Sequence, residues 1–177
     1  MKILGISGSL RQTSHNTQLL RVAADLLPPG TELEIFDGLD EVPPFNEDDE
    51  RTPPPGVVRL KDAIAAADAV LIATPEYNHS IPGVLKNAFD WVSRPIADNP
   101  MRGKPALVIG ASTGMFGAVW AQAETRKVLG ALGARVLDEE LPVAKAPEGL
   151  DDHELLAQLA DLLRDLVSSG EALMRAA

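Results

Sequence analysis

Short apolar runs alternate with amphipathic segments along the chain, and this alternation restricts the fold more than any other feature. Strand-like runs cover residues 2–7, 31–36, 69–74, 105–110 and 135–141. Helical spacing of apolar residues covers 16–27, 57–67, 82–92, 117–132 and 151–174. Five strands alternating with five helices predict an α/β fold, a three-layer sandwich around a five-stranded parallel sheet of order 2-1-3-4-5. The length of 177 residues suits a single domain spanning 1–177.

The predicted strand order has a consequence for where a ligand binds. Strands 1 and 3 become neighbours, and the connections that follow them leave in opposite directions. A crevice therefore opens at their carboxyl ends, as it does in other open parallel sheets. Three loops meet there, covering residues 7–16, 75–81 and 110–117, whereas the proline-rich and acidic stretch 37–56 is predicted as a long loop elsewhere.

Composition excludes several classes of function. The chain has no cysteine, which rules out disulfides, thiol catalysis and Cys-ligated metal, and we expect no metal site. Its formal net charge of −10 argues against nucleic acid or an anionic membrane as a partner. No run approaches the roughly 18 apolar residues of a membrane span, and residues 1–10 do not resemble a targeting segment, so we expect a cytoplasmic protein.

Common catalytic and phosphate motifs are missing from the predicted loops. The chain contains neither a Gly-x-Gly-x-x-Gly fingerprint nor a Gly-Lys-Ser/Thr loop. Residues 5–9 narrowly miss the Gly-x-Ser-x-Gly nucleophile elbow, and the only histidines are His15, His79 and His153. Hydrolysis by a Ser-His pair is therefore disfavoured.

The first loop, residues 7–16, has the composition of an anion site. Ser9, Arg11, Ser14 and Asn16 converge on the start of a helix, where free N–H groups and the helix dipole favour negative charge. The guanidinium of Arg11 can bind a phosphate through two hydrogen bonds. The alternative is a plain turn, in which Ser14 or Asn16 caps the helix and Arg11 is solvated.

The other two loops suit a flat ligand. In the second loop, Pro75 and Pro82 restrict the backbone, so that its amides and carbonyls are presented rigidly, and Tyr77 offers a ring face. Three alternatives remain for Glu76: a solvated carboxylate, a salt bridge between subunits, or a direct catalytic role. His79 is favoured as a residue of the surface loop. The third loop has three glycines that allow close approach of backbone to a ligand, which alone is weak evidence.

The text of these loops resembles the NADPH-dependent FMN reductase family, which includes flavodoxin-like quinone, chromate and azo reductases. The matching stretches are GSLRQTSHN, EVPPFNEDDE, TPEYNHSIPGVLKNAFDWVSRP and GASTGMFGAVWAQ. The resemblance implies a flavodoxin-like fold, bound FMN, and NADPH or NADH as electron donor. It implies that the phosphate is held by Ser9, Arg11, Ser14 and Asn16, the flavin ring is lined by Pro75, Glu76, Tyr77 and Asn78, and the third loop contributes Ser112, Gly114 and Gly117. No side chain is expected to act as a catalytic residue, because the flavin carries the chemistry.

The resemblance also implies a homodimer or homotetramer. The helix with Lys86, Asn87, Asp90 and Trp91 resembles the family's dimer helix, and the alternative for Trp91 is a core residue of its own chain. Trp120 stands where many members have an Arg that belongs to a subunit-contact network in some relatives, which puts the assembly in doubt.

The function expected from the resemblance is hydride transfer from NAD(P)H to FMN, followed by reduction of a small-molecule acceptor such as a quinone. The alternatives are a flavodoxin-type electron carrier and a reductase that supplies reduced FMN to a monooxygenase. The sequence identifies neither the acceptor nor the preferred nucleotide, and it leaves open whether residues 37–56 form a lid or a subunit contact.

Overall fold

A computed structural model describes residues 1–176 and shows a parallel sheet between two layers of helices. The strands are β1 Lys2–Ser7, β2 Glu32–Ile35, β3 Ala69–Ala73, β4 Pro105–Ala111, β5 Arg135–Val136 and β6 Leu141–Val143. The helices are α1 His15–Asp25, α2 Pro55–Ala66, α3 Gly83–Val92, α4 Val119–Ala131 and α5 His153–Ala176. The order β2-β1-β3-β4-β5 confirms the predicted topology.

Two apolar clusters, one on each face of the sheet, hold the layers together. On one face, α2, α3 and α4 pack on Leu4, Ile6 and Val70. On the other, α1 and α5 pack on Ile3, Leu71 and other side chains that alternate with the first set. The side chains of β3 and β4 are buried on both faces, as expected for central parallel strands. The carboxyl ends of β1, β3 and β4 therefore share one edge of a well-buried sheet.

The predicted last strand, 135–141, is wrong. The chain instead forms two short strands, β5 and β6, which pair with different parts of β4. Asp138, Glu139 and Glu140 lie between them. Three consecutive carboxylates cannot continue a strand that has one face on an apolar core, so the chain leaves the sheet and returns at Leu141.

Residues 37–56 are more ordered than a long loop. They contain two short 3-10 helices, Leu39–Glu41 and Glu47–Asp49, and Leu39 and Val42 enter the core. The side chain of Asn87 accepts a hydrogen bond from Phe45 N and donates one to Pro43 O, at 2.7 and 2.9 Å. This segment is thus fixed to α3 of its own chain.

Trp91 belongs to the core of its own chain. Its side chain is 1% exposed, its indole N–H donates to Pro43 O at 2.8 Å, and Phe45 packs edge-on against it. The last helix also packs on its own sheet, through Leu159, Leu163 and their neighbours. Its N-terminus is capped by Asp152, whose side chain accepts hydrogen bonds from Glu154 N and Leu155 N. Among the described residues, no helix is long and apolar enough to cross a membrane.

Candidate functional site

The three loops predicted to meet at the carboxyl edge of the sheet do meet, and they enclose a cavity of about 310 Å³. Its lining residues are Ser9, Arg11, Ser14, His15, Asn16, Pro75, Glu76, Tyr77, Ala111, Ser112 and Thr113. All but His15, Ala111 and Thr113 are among the residues predicted from the sequence to form the site. Three further predicted residues, Asn78, Gly114 and Gly117, do not line this cavity.

The loop after β1 presents hydrogen-bond donors at the start of α1. Ser14 is the N-cap, because its hydroxyl oxygen accepts from Thr17 N at 3.2 Å. In the part of the chain that the structure describes, the N–H groups of His15 and Asn16 have no acceptor, as is usual for the first positions of a helix. Arg11 is exposed and spends one donor on Thr13 O at 2.9 Å, which leaves the rest of its guanidinium free.

The side chain of Asn16 has a structural task. It is 2% exposed, its amide nitrogen donates to Ala111 O, and its amide oxygen accepts from Ala111 N, both at 2.9 Å. This pair of hydrogen bonds ties α1 to the end of β4. Asn16 therefore sets the distance between the first and third loops and offers a ligand its backbone N–H more readily than its side chain.

His15 also lines the cavity, although it is not among the ligand-binding residues predicted from the sequence. Its Nδ1 atom is buried and has no hydrogen-bond partner among the described residues. A buried nitrogen without a hydrogen-bond partner, next to free backbone N–H groups, is typical of a site where a bound ligand makes the missing hydrogen bond. A ligand-binding role for His15 could have been predicted from its place between Ser14 and Asn16, because both neighbours were predicted to bind the ligand. In the structure His15 is the first residue of α1.

The loop after β3 closes in a tight turn. Tyr77 and Ser80 exchange backbone hydrogen bonds of 3.2 and 3.1 Å, and Asn78 and His79 between them both have positive φ, at 54° and 59°. Tyr77 is 53% exposed, so its ring stands free at the rim of the cavity. The turn presents Asn78 on the surface beyond the lining residues.

The carboxylate of Glu76 is largely buried, and both of its oxygens already have partners within the chain. One of its carboxylate oxygens accepts from Trp120 N and Ala121 N at 3.1 and 3.2 Å, so it caps the start of α4 from another loop. The other oxygen lies 3.6 Å from His79 Nδ1. A carboxylate at a helix N-terminus is stabilised by the helix dipole, which gives this loop a fixed position against α4.

The loop after β4 is held from behind by residues 143–146. Ser112 N donates to Val143 O, Ala146 N donates to Ser112 O, and Lys145 N donates to Gly114 O, at 2.9 to 3.0 Å. Gly117 has φ of 56°, and a Cβ there would fall 2.4 Å from the carbonyl carbon of Pro142. The glycine at 117 is thus required by close packing on β6.

Gln122, which is not among the residues predicted from the sequence, completes this support. It is fully buried, donates from Nε2 to Gly117 O at 3.0 Å, and accepts from Leu141 N at 3.1 Å. One side chain thereby joins the third loop, α4 and the start of β6. The only prior clue was an amide on the buried face of an otherwise apolar helical pattern.

Taken together, the lining residues fit a ligand with a phosphate at one end and a flat polar ring at the other. At one end lie the free N–H groups and Arg11, which is the only Lys or Arg among the lining residues of the described chain, so this end can accept an anion. The rigid second loop with Tyr77 supplies the other end.

Comparison with known proteins gives the same answer. A family model described as NADPH-dependent FMN reductase matches residues 1–148. The chain belongs to the NADPH-dependent FMN reductase family. The sequence resemblance is therefore confirmed, and with it the flavodoxin-like fold and an oxidoreductase activity that uses FMN and NAD(P)H.

Individual members of the family resemble the chain over most of its length. It is 45% identical to an NAD(P)H-dependent FMN reductase of Pseudomonas aeruginosa, over 94% of this chain and 89% of that protein. It is 36% identical to a quinone reductase of Escherichia coli K12, over 78% and 74% of the two chains. Among solved structures, the flavoenzyme NAD(P)H:(acceptor) oxidoreductase FerB from Paracoccus denitrificans superposes with a TM-score of 0.84 at 36% identity, covering 97% of both chains.

Proposed function

We propose that the cavity between the three loops is the FMN site of this reductase and that its final electron acceptor is a quinone-like molecule. The observation that carries the proposal is the pairing, in one cavity, of unsatisfied N–H donors beside Arg11 with a rigid, Tyr-bearing loop at the opposite rim. The acceptor class rests on the relatives, one of which is named a quinone reductase.

At the phosphate end, the proposed ligands are Ser9, Arg11, Ser14 and Asn16. Ser14 can donate its hydroxyl hydrogen to a phosphate while its oxygen still caps α1. The part played by Asn16 is its N–H, because its side chain is committed to Ala111. An anion at this position is stabilised both by charge-assisted hydrogen bonds and by the dipole of an 11-residue helix.

At the ring end, Pro75, Glu76, Tyr77 and Asn78 are proposed to line the flavin, and Ser112 to border it from the third loop. Gly114 and Gly117 keep that loop close to residues 142–145 and are proposed to act through its backbone. Bound FMN would supply the chemistry for transferring a hydride from NAD(P)H and then electrons to the acceptor. The protein's own part is to bind and orient: the carboxylate of Glu76 holds the lining loop, and backbone amides supply the polarity at the ring edge.

We further propose that residues 1–177 act as one FMN-binding domain in a cytoplasmic homodimer or homotetramer. Supply of NAD(P)H supports the cytoplasmic location. Assembly is supported by the apolar side chains of Met115, Phe116 and Trp120, which are 71%, 57% and 41% exposed beside the cavity. Trp91 is unavailable for such a contact because it lies in the core of its own chain.

The proposal is tested on the purified protein reconstituted with FMN. The expected results are a flavin absorption spectrum that persists through desalting, rapid oxidation of NADPH or NADH, and multiple turnovers with a quinone. Flavin that is reduced slowly by nucleotide but rapidly by a partner reductase indicates an electron carrier instead. Flavin that dissociates on reduction indicates a supplier of reduced FMN. A protein that binds no FMN refutes the assignment of the cavity.

A further inference from the structure

Two carboxylates cross between the second loop and α4 in opposite directions. From the loop, Glu76 accepts hydrogen bonds from Trp120 N and Ala121 N at the start of α4. From α4, Glu124 accepts from Ser80 Oγ at 2.5 Å and from Ile81 N at 3.1 Å. The two contacts lie on either side of the turn at residues 77–80. The loop is therefore attached to the same helix at both of its ends.

The turn between these attachments needs support. Asn78 and His79 both adopt the left-handed backbone region, which costs a side-chain-bearing residue roughly 1 kcal/mol or more. A turn of this kind normally uses glycine, and this one has none. The surrounding structure compensates, since His79 packs edge-on against Trp120 with ring centroids 4.9 Å apart.

The direction of the pKa of Glu124 agrees with these two hydrogen bonds. The hydrogen bond from Ser80 and then that from Ile81 hold the pKa of the Glu124 carboxyl below its usual value, because both donors favour the charged form. Glu124 is surface-exposed, so burial contributes less to its pKa than the two hydrogen bonds do.

We propose that Glu124 is a positioning residue of the flavin site, which fixes the 76–81 loop against α4 together with the opposed contact of Glu76. The inference rests on the proposed function, because this loop contains Glu76, Tyr77 and Asn78. Loss of the contact lets the Ser80 end of the turn move, and the movement is transmitted through the turn to the residues that line the cavity. Among the described residues, the side chain of Glu124 hydrogen-bonds Ser80 and Ile81, neither of which lines the cavity, so it acts on the site through them.

The first experiment uses the protein without flavin and measures amide hydrogen exchange by NMR. Glu124→Ala is expected to raise the exchange rate of the Ile81 amide about three- to tenfold, as expected for loss of one hydrogen bond, and to raise those of Trp120 and Ala121 as the opposed contact loosens. Glu124→Gln, which keeps an acceptor oxygen, is expected to restore most of the protection. The control is Glu139→Ala, because Glu139 makes no hydrogen bond or ion pair within the described chain.

The second experiment adds FMN and compares the same variants with Ser80→Ala and the double variant. We expect Glu124→Ala to shift the absorption bands and reduction potential of the bound flavin and to lower kcat for NAD(P)H oxidation three- to tenfold. Ser80→Ala is expected to give a smaller shift in the same direction. The double variant is expected to add little to Glu124→Ala, since the two side chains act through one contact.

The outcomes separate the two proposals. If the parent protein binds no FMN, the proposed function fails, and the exchange data alone decide whether Glu124 positions the loop. If the parent binds FMN but Glu124→Ala leaves both the exchange at Ile81 and the flavin spectrum as in Glu139→Ala, the positioning role is refuted. A lower melting temperature with an unchanged flavin spectrum and potential also refutes it, because this is the result of a purely structural contact.

Discussion

At the scale of single residues, two side chains of the first loop differ in how far their polar groups are hydrogen-bonded within the protein. Asn16 uses both ends of its amide on the backbone of Ala111, whereas Arg11 keeps most of its donors free. Both residues were predicted from the sequence to hold the phosphate. In the structure, Asn16 fixes the loop to β4, whereas most of the guanidinium of Arg11 remains available to a ligand. Substitutions at the two positions should therefore be distinguishable.

Arg11→Ala is expected to weaken FMN binding about 10- to 100-fold, because it removes a charge-assisted contact worth roughly 1.5–3 kcal/mol. Riboflavin, which lacks the phosphate, should bind the variant and the parent alike. The matched control is Arg135→Ala, which changes the net charge equally but alters an exposed residue of β5 outside the lining set. Fluorescence titration with both ligands checks the prediction, and equal losses for FMN and riboflavin would contradict it.

Asn16→Ala is expected to lower the free energy of unfolding by about 3 kcal/mol, because it leaves the buried N–H and C=O of Ala111 without partners. Asn16→Asp should be at least as destabilising, since it places a carboxylate oxygen against the carbonyl of Ala111. Urea denaturation without flavin measures both effects. Thr17→Ser keeps the hydroxyl bonded to Ser7 and is the control. An Asn16→Ala variant as stable as this control would show that the tie is dispensable.

At the scale of secondary-structure elements, the region from Gly117 to β6 determines how the third loop is presented. The loop turns into α4 through Gly117 and Ala118, both with positive φ, and Gly117 packs directly on Pro142. This close approach is possible because the chain leaves the sheet after β5 and returns as β6. The irregular end of the sheet therefore serves the candidate site directly.

Gly117→Ala is expected to lower the free energy of unfolding by about 3 kcal/mol, because the added methyl meets the backbone of Pro142 and the residue keeps a positive φ. Gly130→Ala in α4 is expected to have the opposite effect on stability, since no atom lies within 4 Å of the added Cβ. That change should raise stability by about 0.5–1 kcal/mol through helix propensity. Chemical denaturation of both variants decides the matter, and effects of the same sign would contradict the packing argument.

Local pattern was enough to predict the elements but not the contacts between distant residues. A short, continuous apolar run such as 69–74 is stable only as a strand that is buried on both faces, so its central place in the sheet could be predicted. The stretch 135–141 could not be resolved, because alternation persists while the charges at 138–140 interrupt pairing. The cap of α4 by Glu76 joins residues 44 positions apart, and sequence spacing carries no information about such a pair.

At the scale of the whole molecule, a strongly acidic chain binds an anion by local means. The formal net charge is −10, so the overall field opposes a phosphate. In the proposed site, Arg11 and the start of α1 would overcome that field because they act at hydrogen-bond distance, where screening by water and salt is weakest. The two apolar clusters leave the carboxyl edge of the sheet free for this purpose, since each packs on a face rather than on the edge.

Binding of FMN to the folded chain alone must raise the melting temperature through mass action. At a free concentration 100 times the Kd, the stabilisation is about 2.7 kcal/mol, which corresponds to roughly 5–10 °C for a chain of this size. Arg11→Ala should reduce the shift at any given FMN concentration, because its Kd is larger. The variant should show the parent's shift once its FMN concentration is raised by the ratio of the two Kd values, since only affinity has changed. Thermal scans at one protein concentration, with FMN and riboflavin in parallel, measure this. A parent protein whose melting temperature is independent of FMN would contradict the assignment, and a shift that Arg11→Ala leaves unchanged would place the phosphate elsewhere.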